Sequence, residues 1–119
     1  MDRKARIREY KENARPAGLF VVRNEVTGRM LVGASVDLPG MLNRQRFQLE
    51  MGSHPDARLQ SDWNGQQPDD FAFEVLDTLE PSDDPSSDLA SDLVVLMQIW
   101  IDKLLESGTT LYPMSTRGA

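Results

Sequence analysis

GLFVVRNEVTGRMLVGAS, residues 18–35, holds two apolar runs around a polar middle. Residues 18–23 and 29–34 are rich in β-branched and aliphatic side chains, and NEVTG between them offers a turn that Gly28 can close at positive φ. The pattern predicts a β-hairpin with Gly18 at its start and Gly33 near its end. Downstream, DLPGMLNRQRFQLEMG places Asp37 as an N-cap, Pro39 in a first turn and Gly52 as a stop. Leu42, Phe47, Leu49 and Met51 give an imperfect apolar stripe, and the spacing predicts a helix over about 38–51. A shorter helix follows over about 56–64, with Leu59 and Trp63 four apart on one face. At that spacing Trp63 is expected to be a core anchor rather than a platform for stacked bases.

DFAFEVLDTLE then alternates, with Phe71, Phe73 and Val75 on one side and Ala72, Glu74 and Leu76 on the other, which predicts a strand. Glu74 interrupts an otherwise apolar set. EPSDDPSSD reads as an acidic loop. In the next segment, residues 87–107, Leu89, Leu93, Leu96, Met97, Trp100 and Leu104 recur at three and four, the strongest helical signal in the chain. That stripe is expected to be core, and Gly108 ends it. Upstream, residues 2–14 are rich in Arg, Lys, Glu and Ala, with Ala5, Ile7, Tyr10 and Ala14 as the apolar positions. They predict an N-terminal surface helix that covers one side of the domain and stops at Pro16. The tail offers an edge strand around Leu111 and Tyr112. The order predicts an α+β fold, a three-stranded mixed or antiparallel sheet flanked by helices.

At 119 residues the chain has room for one domain and one core. It has no cysteine, which removes disulfides, thiolate metal sites and cysteine nucleophiles. The charged N-terminus has no signal-peptide pattern, and no apolar run has membrane-spanning length, so the expected location is cytoplasmic. The net charge of −6 is unevenly spread: residues 1–58 carry 11 Lys/Arg against 7 Asp/Glu, and the remainder carries 2 against 12. The asymmetry leaves room for a basic face on the first half; the alternative is that helical surface charges fell this way by chance.

Familiar catalytic motifs are absent. The single histidine, His54, precedes Pro55 and is expected to be a capping or surface residue. There is no P-loop, no GxGxxG after a strand and no GxSxG. The hairpin itself resembles that of the GIY-YIG nuclease family. Gly18-Leu19-Phe20 stands where GIY would be and Leu31-Val32-Gly33 where YIG would be. The stretch from His54 through LQSDW to FAFEVLD is similar to the family's middle region. The resemblance spans about residues 17–78, with TLYPMS more weakly, and implies a GIY-YIG-like fold. It further implies tyrosines that help activate water, a helix arginine that stabilises phosphate charge and a glutamate that holds one divalent cation, Mg²⁺ or Mn²⁺.

Four of these positions are substituted here. Phe20 and Leu31 replace the tyrosines, Met41 falls at the arginine, and Pro113 at a tail asparagine. Glu74 falls at the metal glutamate. Phe and Leu have no hydroxyl, and Met cannot neutralise phosphate oxygens. Phe20 and Leu31 are expected to pack in an apolar patch. Arg44, three residues beyond Met41, is the candidate substitute for the arginine, and Tyr10 or Tyr112 for a hydroxyl. Glu74 otherwise reads as a strand carboxylate bonded to Arg23 or Arg29. Three readings follow. The first is a non-catalytic domain that binds a protein partner, or binds DNA weakly and without sequence preference through Arg23, Arg29, Arg44 and Arg46. The second is a metal-dependent DNA endonuclease with a rearranged site. The third is an interaction module, monomer or weak homodimer, that pairs through the helix around Trp100.

Overall fold

In a computed structural model, residues 16–80 and 88–116 are described. The hairpin is present: β1 (Ala17–Asn24) pairs antiparallel with β2 (Met30–Ser35). The turn is closed by Gly28 N–H donating to Asn24 O at 2.7 Å. Asn24 Oδ1 also accepts from Val26 N–H at 3.1 Å, so the asparagine side chain organises its own turn. β3 (Phe71–Leu79) pairs antiparallel with the other edge of β1, giving the order β2-β1-β3. The sheet is thus wholly antiparallel. A register shift between Leu19 and Phe20 sets Leu19 opposite Asp77 and Phe20 opposite Val75. Both motif glycines lie where chains crowd. A Cβ at Gly18 would run into the Asp77 carbonyl, and one at Gly33 would come 2.5 Å from the Phe20 ring. Phe20 is the cross-strand partner of Gly33, so its ring covers the space that the glycine leaves open.

Three helices flank the sheet among the described residues: α1 (Leu38–Glu50), α2 (Ala57–Gly65) and α3 (Leu89–Glu106). Asp37 caps α1 through Gly40 N–H, and Asp56 caps α2 through Arg58 and Leu59 N–H. One face of the sheet forms a core with α1 and α2 from Phe20, Val22, Leu31, Leu38, Leu49, Leu59, Phe71 and Tyr112. Trp63 packs against this core, its ring centroid 5.2 Å from that of Phe71. The other face packs Val21 and Val32 with Ile101, Met97 and Leu104 of α3.

Some sequence expectations need correction. The tail adds no strand; Leu111 makes one isolated parallel bridge to Met30, and a 3-10 turn (Pro113–Thr116) follows. The α3 stripe packs inward apart from its first position: Leu93 is buried, Leu96, Met97, Trp100 and Leu104 are half-buried, with Met97 and Leu104 against the core, and Leu89 is exposed. Off the stripe, Val94, Val95, Ile99 and Leu105 are exposed apolar residues of the same helix. Trp100 donates its Nε1–H to Asp77 Oδ2 at 2.8 Å, half in and half out of the core. The predicted helix over residues 2–14 lies outside the described residues.

Candidate functional site

Phe20, Leu31 and Met41 come together. Leu31 sits beside Phe20 across the strand pair because Phe20 opposes Gly33 and Leu31 opposes Val22. Met41 reaches them from the first turn of α1. These three residues line one groove of about 720 Å³, which wraps the β2 edge of the sheet and is bounded on the far side by α3. Phe20 and Leu31 are each 4% exposed. Apolar side chains dominate the rest of the wall, with Leu93, Val94 and Met97 from α3 and Met114 from the tail.

Apart from Gln98 and Asp102 on α3, the polar side chains enter from one corner and are tied into hydrogen bonds there. Gln45, one turn after Met41, has its Oε1 2.5 Å from His54 Nε2. His54 Nδ1 accepts from Asp56 N–H at 2.9 Å, so the ring proton sits on Nε2 and is donated to Gln45. Burial holds the imidazole below its usual pKa, opposed by the nearby Asp56 carboxylate. His54 is therefore a buried neutral imidazole that locks the α1–α2 connection, not a surface residue. Gln60 Oε1 accepts from His54 N–H at 3.0 Å, and its amide donates to Leu49 O and Asn64 Oδ1.

The tail is tied to the same corner. Asp56 Oδ2 accepts from Met114 N–H at 2.9 Å, and Ser115 Oγ accepts from Val32 N–H at 2.9 Å. Tyr112 lies buried beneath α2. Its hydroxyl donates to Asp62 Oδ2 at 2.7 Å and accepts from Asn24 Nδ2 at 3.1 Å. Burial pushes this phenol far above its usual pKa. Tyr112 is thus a structural anchor rather than a hydroxyl offered to the groove.

Glu74 is not brought to the group. It opposes Val21, on the face that packs against α3, whereas Phe20 and Val22 belong to the opposite face. Its Oε1 is held by Arg23 Nη1. Arg44 also stays away; it is exposed and absent from the groove wall. The residue that turns from α1 into the groove is Gln45, since a four-residue step returns closer to the Met41 direction than a three-residue step does. Sequence reasoning missed Gln45 and read His54 only as a capping or surface residue. Gln45 lies in the middle of α1 and His54 in the connection before α2; the available signal was the four-residue step from Met41 to Gln45, which puts both on one side of the helix.

The remaining arginines are dispersed. Arg23 lies between Glu74 and Glu25, on the α3 face of β1. Arg46 stacks over Phe73 at 4.6 Å on the opposite face and pairs with Glu50 at 3.9 Å. The Arg29 guanidinium lies 5.6 Å from the Tyr112 ring centroid.

A Mg²⁺ or Mn²⁺ ion requires hard oxygen ligands. Among the described residues, no three His, Cys, Asp or Glu side chains are grouped to hold one. Phe20, Leu31 and Met41 supply no oxygen. Asp102, at the rim on α3, already accepts from Gln98 Nε2 at 2.9 Å. Among the described residues, those that line the groove do not form a carboxylate cluster that fits a divalent cation.

No protein-family model matches the sequence, and no curated protein matches it significantly. The fold, however, is similar to solved structures. The catalytic domain of the homing endonuclease I-TevI aligns over 81% of this chain and 95% of its own, at 20% identity and a TM-score of 0.63. A point mutant of the catalytic domain of the intron endonuclease I-TevI aligns over 80% and 90%, at 19% identity and the same TM-score. At such identity the likeness concerns the fold, and it agrees with the order of hairpin, helices, third strand and long helix. The chain has a GIY-YIG-like fold.

Proposed function

We propose that this chain is a non-catalytic GIY-YIG-like domain whose groove, where the resemblance puts nuclease chemistry, receives an apolar polypeptide segment. One observation carries the reading. The positions that the resemblance assigns to two tyrosines and an arginine converge on one groove, and they are Phe20, Leu31 and Met41. Removing a single preorganised electrostatic donor typically lowers a rate by about 100- to 1,000-fold. Losing donors that act together leaves little to rescue, even though such losses do not simply add. A groove of this size, mostly apolar with a few fixed polar groups, has the character of a binding site. Plasmid DNA incubated with the chain and Mg²⁺ or Mn²⁺ should remain supercoiled. Nicking that disappears with EDTA would instead establish the endonuclease with a rearranged site.

A second reading, contact with nucleic acid, draws on the net positive charge of residues 1–58. The engagement of Arg23 with Glu74 and Glu25, and of Arg46 with Glu50, places it behind the first.

A further inference from the structure

Two flanks of α3 carry exposed apolar side chains, and only one of them belongs to the groove. Val94 lines the groove together with Gln98 and Leu105. Val95 and Ile99 do not, although they are 58% and 46% exposed. At 3.6 residues per turn, Ile99 points about 140° away from Val94. The inward side of the helix is fixed by Leu93, Met97, Ile101 and Leu104. Asp92, Val95, Ile99 and Lys103 then form a second line, at steps of three and four, along an outward flank. Trp100 stands beside this line but is engaged inward, with its Nε1–H on Asp77.

The order of charge along the line points to its partner. The middle is apolar, the N-terminal end carries Asp92, and the C-terminal end carries Lys103, the one cation in α3. A second copy laid antiparallel about a twofold axis near Met97 sets Val95 opposite Ile99 of the other copy. The same axis sets Asp92 opposite Lys103 of the other copy, and each contact occurs twice. Parallel pairing would instead set Asp92 against Asp92 and Lys103 against Lys103. Antiparallel helices also oppose the unlike ends of their macrodipoles. Asp88, further out, is turned to its own cap through Ala90 N–H and Ser91 Oγ–H, at a helix end where crossing helices diverge.

We propose that this flank of α3 is a self-association surface: two copies pair antiparallel through Val95 and Ile99, and Asp92 and Lys103 exchange ion pairs across the axis. The groove, on the other flank, is left outside the contact. The 18 residues of α3 make a rod about 27 Å long and about 10 Å wide. That strip is smaller than the roughly 800 Å² per partner of a standard interface, so the dimer is weak and reversible.

Sedimentation equilibrium of the full chain at low salt tests the pairing by charge reversal. Self-association should appear between low micromolar and millimolar concentration. Asp92→Lys or Lys103→Glu alone should raise the dimer Kd about tenfold, although they shift the net charge in opposite directions. Each reversal turns two exposed attractive pairs, modest singly, into repulsive ones. The two reversals combined should return Kd to about the wild-type value, because the exchanged charges pair again, and added salt should shrink the effect of each single reversal. Ile99→Glu should leave a monomer, whereas Val94→Glu, on the groove flank, should not. All four positions are exposed, and circular dichroism checks that each variant is folded; if Ile99→Glu is not, the charge variants decide alone. A chain that stays monomeric throughout would overturn the proposal and leave the line to a different protein. Failure of the combined reversal to restore association would overturn it too. So would dissociation by Val94→Glu in place of Ile99→Glu, in favour of pairing through the groove. None of these outcomes depends on whether the groove is catalytic.

Discussion

At the scale of single residues, Phe20 and Gly33 form a coupled cross-strand pair. The ring fills the space over the glycine and keeps most of its area from water. Phe20→Ala should cost about 3 kcal/mol, the lower end for such truncations because the groove already opens beside the ring; urea unfolding measures it. Gly33→Ala should destabilise by about 1–3 kcal/mol through overpacking. In the Phe20→Ala background that cost should largely vanish, and additive costs would mean that the two residues are uncoupled. His54 makes a pH prediction. Its folded pKa is lowered by burial, so the unfolded chain binds the proton more readily. Stability from this group is complete above the unfolded value of 6.5 and declines as pH falls from there through the folded pKa. His54→Gln should flatten this part of the stability profile, measured by urea midpoints between about pH 7 and pH 5, spanning the unfolded histidine pKa. An unchanged slope would place the pH dependence elsewhere.

At the scale of elements, Asp56 joins two of them: Oδ1 caps α2 and Oδ2 holds the tail at Met114. Asp56→Ala should lose roughly 1–2 kcal/mol of capping stability and should also accelerate hydrogen exchange at Met114 and at Val32, whose N–H rests on Ser115. Acceleration in α2 alone would show that the tail is held independently. The strands, α1 and α2 were legible in the sequence because their signals are local: Asn24 with Gly28 in the turn, Asp37 and Asp56 as caps, alternation from Phe71 to Val75. The outward side of α3 was not. The three-and-four stripe marks the covered face, whereas Val94, Val95 and Ile99 lie off it as exposed apolar residues that periodicity does not account for. The position of Glu74 was likewise beyond local reading. Which face a strand residue takes relative to the hairpin depends on pairing register, and β1 and β3 pair through a shift at Leu19/Phe20.

At the scale of the whole molecule, the arginines of the described residues do not share one surface: Arg23 and Arg46 lie on opposite faces of the sheet. Any binding to a short DNA duplex should therefore be weak and strongly salt-dependent. Arg44→Ala with Arg46→Ala should reduce it further at low salt, as read by fluorescence anisotropy; salt-independent binding would contradict this. The convergence of Phe20, Leu31 and Met41 was readable from the hairpin and the helix after it, whereas the Gln45–His54 corner required the tertiary fold. The central claim is that the groove has exchanged metal and phosphate chemistry for apolar contact. Mn²⁺ titration followed by paramagnetic broadening of backbone amide signals tests it most directly. Broadening should be confined to exposed carboxylates of the acidic half and should leave the amides of Leu31, Gly33, Ala34 and Met41 sharp. Selective loss of those groove signals at low Mn²⁺, reversed by EDTA, would contradict the account.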